Sequence, residues 1–153
     1  MFLTTRGRYA VMAMVDMAIR DQTAPVRLLD VAAAQEIQIS YLEQIFSQLK
    51  KYGLVIATKG PNGGYQLSKA ADEIKLAEII KAVNENIKIT RCINNSNDCM
   101  SKKRSCITHH LWEGLEKHIL YYFDSITLAD VYKNEVSQIH SQLKYDKERG
   151  AHV

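Results

Sequence analysis

All three cysteines of the chain, Cys92, Cys99 and Cys106, fall in one polar stretch that ends at His109. Thiolate sulfur and imidazole nitrogen are donors for zinc and for iron–sulfur groups, and short spacings let several of them reach one centre. The intervening residues cannot order this stretch by burial. Asn94, Asn95, Ser96 and Asn97 are polar, and Lys102, Lys103 and Arg104 repel one another. A bound metal would order it, and the neighbouring cations would favour the thiolates that ligation needs. Scattered cysteines more often serve as small buried hydrophobes; here clustering with a histidine points to a metal site. Donor types alone do not choose between zinc and an iron–sulfur cluster. His110 beside His109 leaves two histidines as candidates for a fourth donor.

The rest of the chain must position that loop. With 153 residues, 46% hydrophobic and 24% charged, it has the makings of one globular domain with an appended element. An odd cysteine count argues against a disulfide framework. No apolar run approaches the ~20 residues that cross a bilayer. Arg6, Gly7 and Arg8 stand where a signal peptide would keep its apolar segment, so a cytoplasmic protein without membrane attachment is expected. A net charge of +3 permits nucleic-acid binding without requiring it. There is no phosphate loop, no nucleophile with a recognisable partner and no paired carboxylates, and His118 and His140 sit at helix-face positions. Enzymatic activity is therefore not expected.

Along the chain, Ala10, Ala13, Met14, Met17 and Ala18 recur at helical spacing and predict a first helix over about 5–20. Pro25 ends the next turn. A short helix over 28–35 has Leu29, Ala32 and Ala33 as its apolar stripe. Ser40-Tyr-Leu-Glu43 has the capping-box pattern and opens a third helix, which buries Leu42, Ile45, Phe46 and Leu49 and stops at Gly53. Two short helices joined by a tight turn spell helix-turn-helix. Strands over 54–58 and 65–67 enclose the turn Lys59-Gly-Pro-Asn-Gly-Gly64, which makes a hairpin the wing of a winged helix. A helix over 77–84 precedes the cysteine loop. After it, Leu111, Trp112, Leu115, His118, Ile119 and Tyr122 form a stripe about four turns long. A stripe this wide on a chain that already has a core suggests a helix offered to a second subunit. Thr127-Leu-Ala-Asp130 looks like another N-cap.

The predicted fold is mainly α with a small β-hairpin: a winged helix-turn-helix plus a long C-terminal dimerisation helix. Its expected divisions are a DNA-binding domain over 1–84, a cysteine-rich cluster-binding loop over 85–110, a dimerisation helix region over 107–134 and a polar tail over 135–153. In such a fold the outer face of the third helix enters the major groove of a double-stranded operator, presenting Ser40, Tyr41, Glu43, Gln44 and Ser47. Arg6, Arg8 and the wing residues Lys59, Gly60, Pro61, Asn62 and Gly63 are placed for phosphates or the minor groove. Glu43 could accept from cytosine N4, or it could be occupied in the capping box.

Leu3-Thr-Thr-Arg-Gly-Arg-Tyr-Ala10, Ser40-Tyr-Leu-Glu-Gln-Ile-Phe46, Gly60-Pro-Asn-Gly-Gly-Tyr65 and Cys106-Ile-Thr-His-His-Leu-Trp112 together give the chain more than a helix-turn-helix. Through these stretches it resembles the Rrf-type winged-helix regulators, most closely those of iron–sulfur cluster assembly. The resemblance implies a cytoplasmic homodimer with a [2Fe-2S] cluster in each subunit, loaded by the cluster-assembly machinery, that controls the genes of that machinery. It also implies Cys92, Cys99, Cys106 and His109 as the ligands. The chain departs from the family pattern in two ways: its gaps between cysteines are longer, and Lys59 leads the wing where arginine is usual. A nitric-oxide or redox sensor of the same family, and a zinc-stabilised winged-helix repressor, would share these motifs. An iron–sulfur carrier would share the cysteines without needing the wing.

Overall fold

The computed structural model describes residues 4–20, 22–85, 87 and 106–137. The fold is mainly α with one small hairpin. Its elements run α1 (Thr5–Ile19), α2 (Leu28–Gln35), α3 (Ile39–Lys51), β1 (Val55–Thr58), β2 (Gly64–Leu67), α4 (Leu76–Ala82), α5 (His109–Asp124) and α6 (Leu128–Tyr132). The cysteine loop up to residue 105 and the polar tail from 138 onward lie outside the described residues, so Cys92, Cys99 and His140 do too.

One core unites the elements. Ala10, Ala13, Met14 and Met17 of α1 meet Leu42, Ile45, Phe46 and Leu49 of α3 and Ile79 of α4. Ile126 and Leu128, far along the chain, complete the same core. They are held there by backbone bonds: the Leu76 amide donates to Ile126 O at 2.9 Å and the Leu128 amide to Ile74 O at 3.0 Å. The Thr127 cap forms as expected. Its hydroxyl accepts the Asp130 amide at 3.2 Å, and Asp130 Oδ2 accepts the Thr127 amide at 2.7 Å. Val136 is half-buried against this core.

The third helix differs from its expected start. Ile39 is its first helical residue and Gln38 its N-cap, with no side-chain cap bond. Ser40 is therefore already inside the helix, and the Ser40–Glu43 capping box does not form. Burial decides this: Ile37 and Leu42 both enter the core, at the two positions of a hydrophobic staple around Gln38. The C-terminus has the Schellman pattern. Gly53 takes φ +80°, while its amide and that of Leu54 donate to Lys50 O and Leu49 O, both at 3.0 Å.

The buried face of α2 is also rotated from the expected one. Val31 and Ala32 are buried, whereas Leu29 is 63% exposed and Ala33 lies outside. The cause is upstream, where Val26 exchanges two 2.8 Å backbone bonds with Tyr65 of β2 and so sets the phase at which α2 begins. Gly64 permits this approach, since a Cβ there would collide with the Val26 carbonyl. The hairpin itself pairs Val55 with Leu67 and Thr58 with Gly64.

Candidate functional site

The candidates for contact with DNA are carried by α1, α3 and the hairpin. Ser40, Glu43, Gln44 and Ser47 are exposed along α3, and Tyr41 is half-buried. Without a capping box, Glu43 is available on that outer face. Arg6 and Arg8 are exposed in the first turns of α1. They are tied to α3 through an edge-to-face contact between Tyr9 and Tyr41, ring centres 6.0 Å apart. At the other end of α3, Phe46 packs edge-on to Tyr65 at 4.9 Å, which joins the helix to the wing.

Lys59, Gly60, Pro61 and Asn62 are exposed at the wing turn, and Gly63 is half-buried. Gly60 has φ +111°, an angle side chains rarely adopt. The Gly63 amide donates to Gly60 O at 2.9 Å, and a Cβ on Gly63 would collide with Thr58 O. The wing thus closes tightly on itself and presents Lys59 on a fixed frame.

One neighbouring feature has no counterpart among the sequence expectations. A cleft between the wing turn and the α1–α2 connection is lined by Arg20, Pro25, Arg27, Asp30, Pro61 and Asn62. Its two arginines are internally paired. Arg20 Nε donates to Asp16 at 2.7 Å; Arg27 makes a two-pronged contact with Asp30 at 3.1 and 3.0 Å. The hydrogen bond from Arg27 holds the Asp30 carboxyl below its usual range. Arg27 stands directly before α2, a placement that could have flagged it.

The start of α5 carries the described metal-ligand candidates. Cys106 is half-buried and His109 is buried; the His109 amide donates to Cys106 O at 3.0 Å. That bond is between backbone groups, while the Cys106 sulfur lies 3.6 Å from the Thr108 hydroxyl; the thiol and the imidazole thus stand three residues apart at the entry to α5. His110 lies beside His109, ring centres 5.3 Å apart, but is exposed. Its side chain is 88% exposed, with Nδ1 3.6 Å from Glu113. A hydrogen bond from Lys117 holds the Glu113 carboxyl below its usual range. The donor atoms of His109, His110 and Glu113 all lie within 4.8 Å of one another. Sulfur from Cys106 with nitrogen from His109 suits a cysteine- and histidine-ligated iron–sulfur group as well as zinc.

Among the described residues no helix is long and apolar enough to cross a membrane. Helix-turn-helix, closed wing and supporting α1 define a winged-helix DNA-binding module. The Rrf2 family, described as iron-dependent transcriptional regulators, matches residues 3–134, and the chain belongs to it. It is 45% identical over 150 residues to the HTH-type transcriptional regulator IscR of Xenorhabdus nematophila, covering 97% of this chain and 90% of that one. Against IscR of Vibrio atlanticus the identity is 44%, covering 95% and 84%. Among solved structures, T. potens IscR superposes with a TM-score of 0.71 at 34% identity, covering 88% of each chain. CymR, the global cysteine regulator of B. subtilis, superposes with 0.73 at 26% identity, covering 88% and 98%. The chain is thus a DNA-binding transcriptional regulator of the IscR type.

Proposed function

We propose that the protein is a cytoplasmic homodimer, without enzymatic activity, that reads iron–sulfur cluster status and controls the genes of cluster assembly. The ligands are Cys92, Cys99, Cys106 and His109, and the group they hold is a [2Fe-2S] cluster received from the assembly machinery. The observation that supports this reading is the place of Cys106 and buried His109 at the entry to α5, where the His109 amide donates to Cys106 O. His109 is taken as the fourth ligand; its burial supports the choice, whereas the His110 side chain is 88% exposed. Cysteine-ligated iron is lost or damaged when iron or oxidant levels change, which is the chemistry such a sensor needs.

The protein's own residues perform the recognition. Arg6, Arg8 and Lys59 meet phosphates and set the register, while Glu43, Gln44 and Ser47 face base edges. Ser40, Tyr41 and the wing backbone at Gly60, Pro61, Asn62 and Gly63 border the same surface. A dimer through α5 places two recognition helices on half-sites about one duplex turn apart, ~34 Å, or a multiple of it. Ligation at the start of α5 biases that spacing, and operator preference shifts only by the difference in affinity between the two arrangements.

The test is footprinting on a panel of operators with anaerobically loaded protein and with Cys92→Ala. Loaded protein should protect at least one class of site that the variant does not. Identical footprints on every operator would remove the link between cluster and recognition.

A further inference from the structure

α1 has no acid in its first turn, and the hydroxyl of its N-cap Thr4 makes no bond to the helix's own amides. Both roles are filled from a distant part of the chain. The Thr4 amide donates to Glu85 Oε1 at 2.9 Å, and the Thr4 hydroxyl donates to Glu85 Oε2. A carboxylate at this position complements the exposed amides and the positive end of the helix. Gly7, buried in the same turn, makes room for it: a Cβ there would lie 2.9 Å from Glu85 Oε2. Arg6 and Arg8 flank Gly7 and are exposed. The turn that Glu85 clamps is therefore the turn that carries both arginines, one residue ahead of the Tyr9–Tyr41 contact with α3.

We propose that Glu85 is a positioning residue of the DNA interface, which fixes the first turn of α1 so that Arg6 and Arg8 reach phosphates in one register with α3. This rests on the reading of those two arginines as phosphate contacts. A cation held in place meets a phosphate without first losing its freedom, so the clamp acts on affinity through preorganisation. Because each neutralised phosphate releases counterions, loss of register is visible in how steeply binding depends on salt. A purely structural clamp would lower stability and leave that dependence unchanged.

The test is binding of the full-length protein to a labelled duplex of arbitrary sequence across a range of salt concentrations. The Arg6→Ala/Arg8→Ala double variant should bind more weakly, with a salt slope shallower by about 0.9 for each phosphate no longer neutralised. Glu85→Ala should lose affinity about fivefold to tenfold and shift the slope the same way, as expected when preorganisation is removed. Added to the arginine double variant, it should do little more. Glu85→Gln, which keeps an acceptor for the Thr4 amide, should bind like the wild type. Should Glu85→Ala fail to fold, Gly7→Ala displaces the carboxylate and carries the same expectation. A normal slope for Glu85→Ala beside a shallow one for the arginine variant overturns the inference alone. Tighter binding by both Glu85 variants overturns it too, since the carboxylate would then simply repel phosphate. If the arginine variant keeps the wild-type slope, the underlying reading of Arg6 and Arg8 fails first.

Discussion

α3 and α5 are both amphipathic in sequence, yet they end in opposite surroundings. Leu42, Ile45, Phe46 and Leu49 of α3 are no more than 1% exposed. On α5, Leu111 and Leu115 are 61% and 44% exposed, and His109 is the one buried residue of the helix. A stripe shows that a helix has a face to cover; it does not say where the cover comes from. For α3 the cover is α1, α2, α4 and the hairpin, all within this chain. For α5 the proposed cover is a second copy, and the two helices should respond differently to substitution.

The largest effect belongs to α3. Phe46→Ala should cost about 3–5 kcal/mol, because a fully buried aromatic leaves both reduced burial and a cavity, measured by urea unfolding. A loss under about 1 kcal/mol would mean that this core repacks freely. Next comes the wing's anchorage. Gly64→Ala forces a methyl group against the Val26 carbonyl and should cost about 1–3 kcal/mol, the range for overpacking, with weaker DNA binding as Tyr65 moves. Thr127→Ala removes the α6 cap and should cost about 1 kcal/mol in the same unfolding experiment; no change would detach α6 from the cooperative unit.

On α5, Leu115→Glu should alter the fold of a single chain by no more than about 0.5 kcal/mol, as for an exposed position. Sedimentation should nevertheless show the dimer giving way to monomer. An unchanged mass would erase the contrast between the two helices. The smallest effect is electrostatic. Burial raises the Glu78 carboxyl, but the Lys75 amide and the Lys69 ammonium more than offset this and leave it below its ordinary 4.5. The folded state thus favours the ionised form. Its contribution is present above pH 4.5 and fades as pH falls through the lowered folded value. The gap in unfolding midpoint between wild type and Glu78→Gln should accordingly narrow in acid.

Much of the fold was legible in local pattern. The α3 stripe, the Gly53 stop, the hairpin and the Thr127 cap each depend on residues a few positions apart, where spacing and backbone preference decide. The features that were not legible depend on contacts between distant segments. The phase of α2 is set by Val26 pairing with Tyr65, so Leu29 turns outward despite its place in the apparent stripe. The start of α3 is set by burial of Ile37, which overrides a capping pattern one turn long. Glu85 meets Thr4 across almost the whole module, and no local motif announces it. The candidate site divides likewise. Residue types and clustering pointed to the cysteines and the outer face of α3, whereas the burial of His109 beside an exposed His110 could not be read from two adjacent histidines.

Whether Cys92, Cys99, Cys106 and His109 hold a [2Fe-2S] cluster is decided by iron, sulfide and zinc analysis with visible spectroscopy on protein purified anaerobically. The expected material is coloured and holds iron and sulfide in equal amounts, both lost in Cys106→Ala and strongly reduced in His109→Ala but not in His110→Ala. A colourless protein with stoichiometric zinc and no sulfide would contradict the proposed cluster.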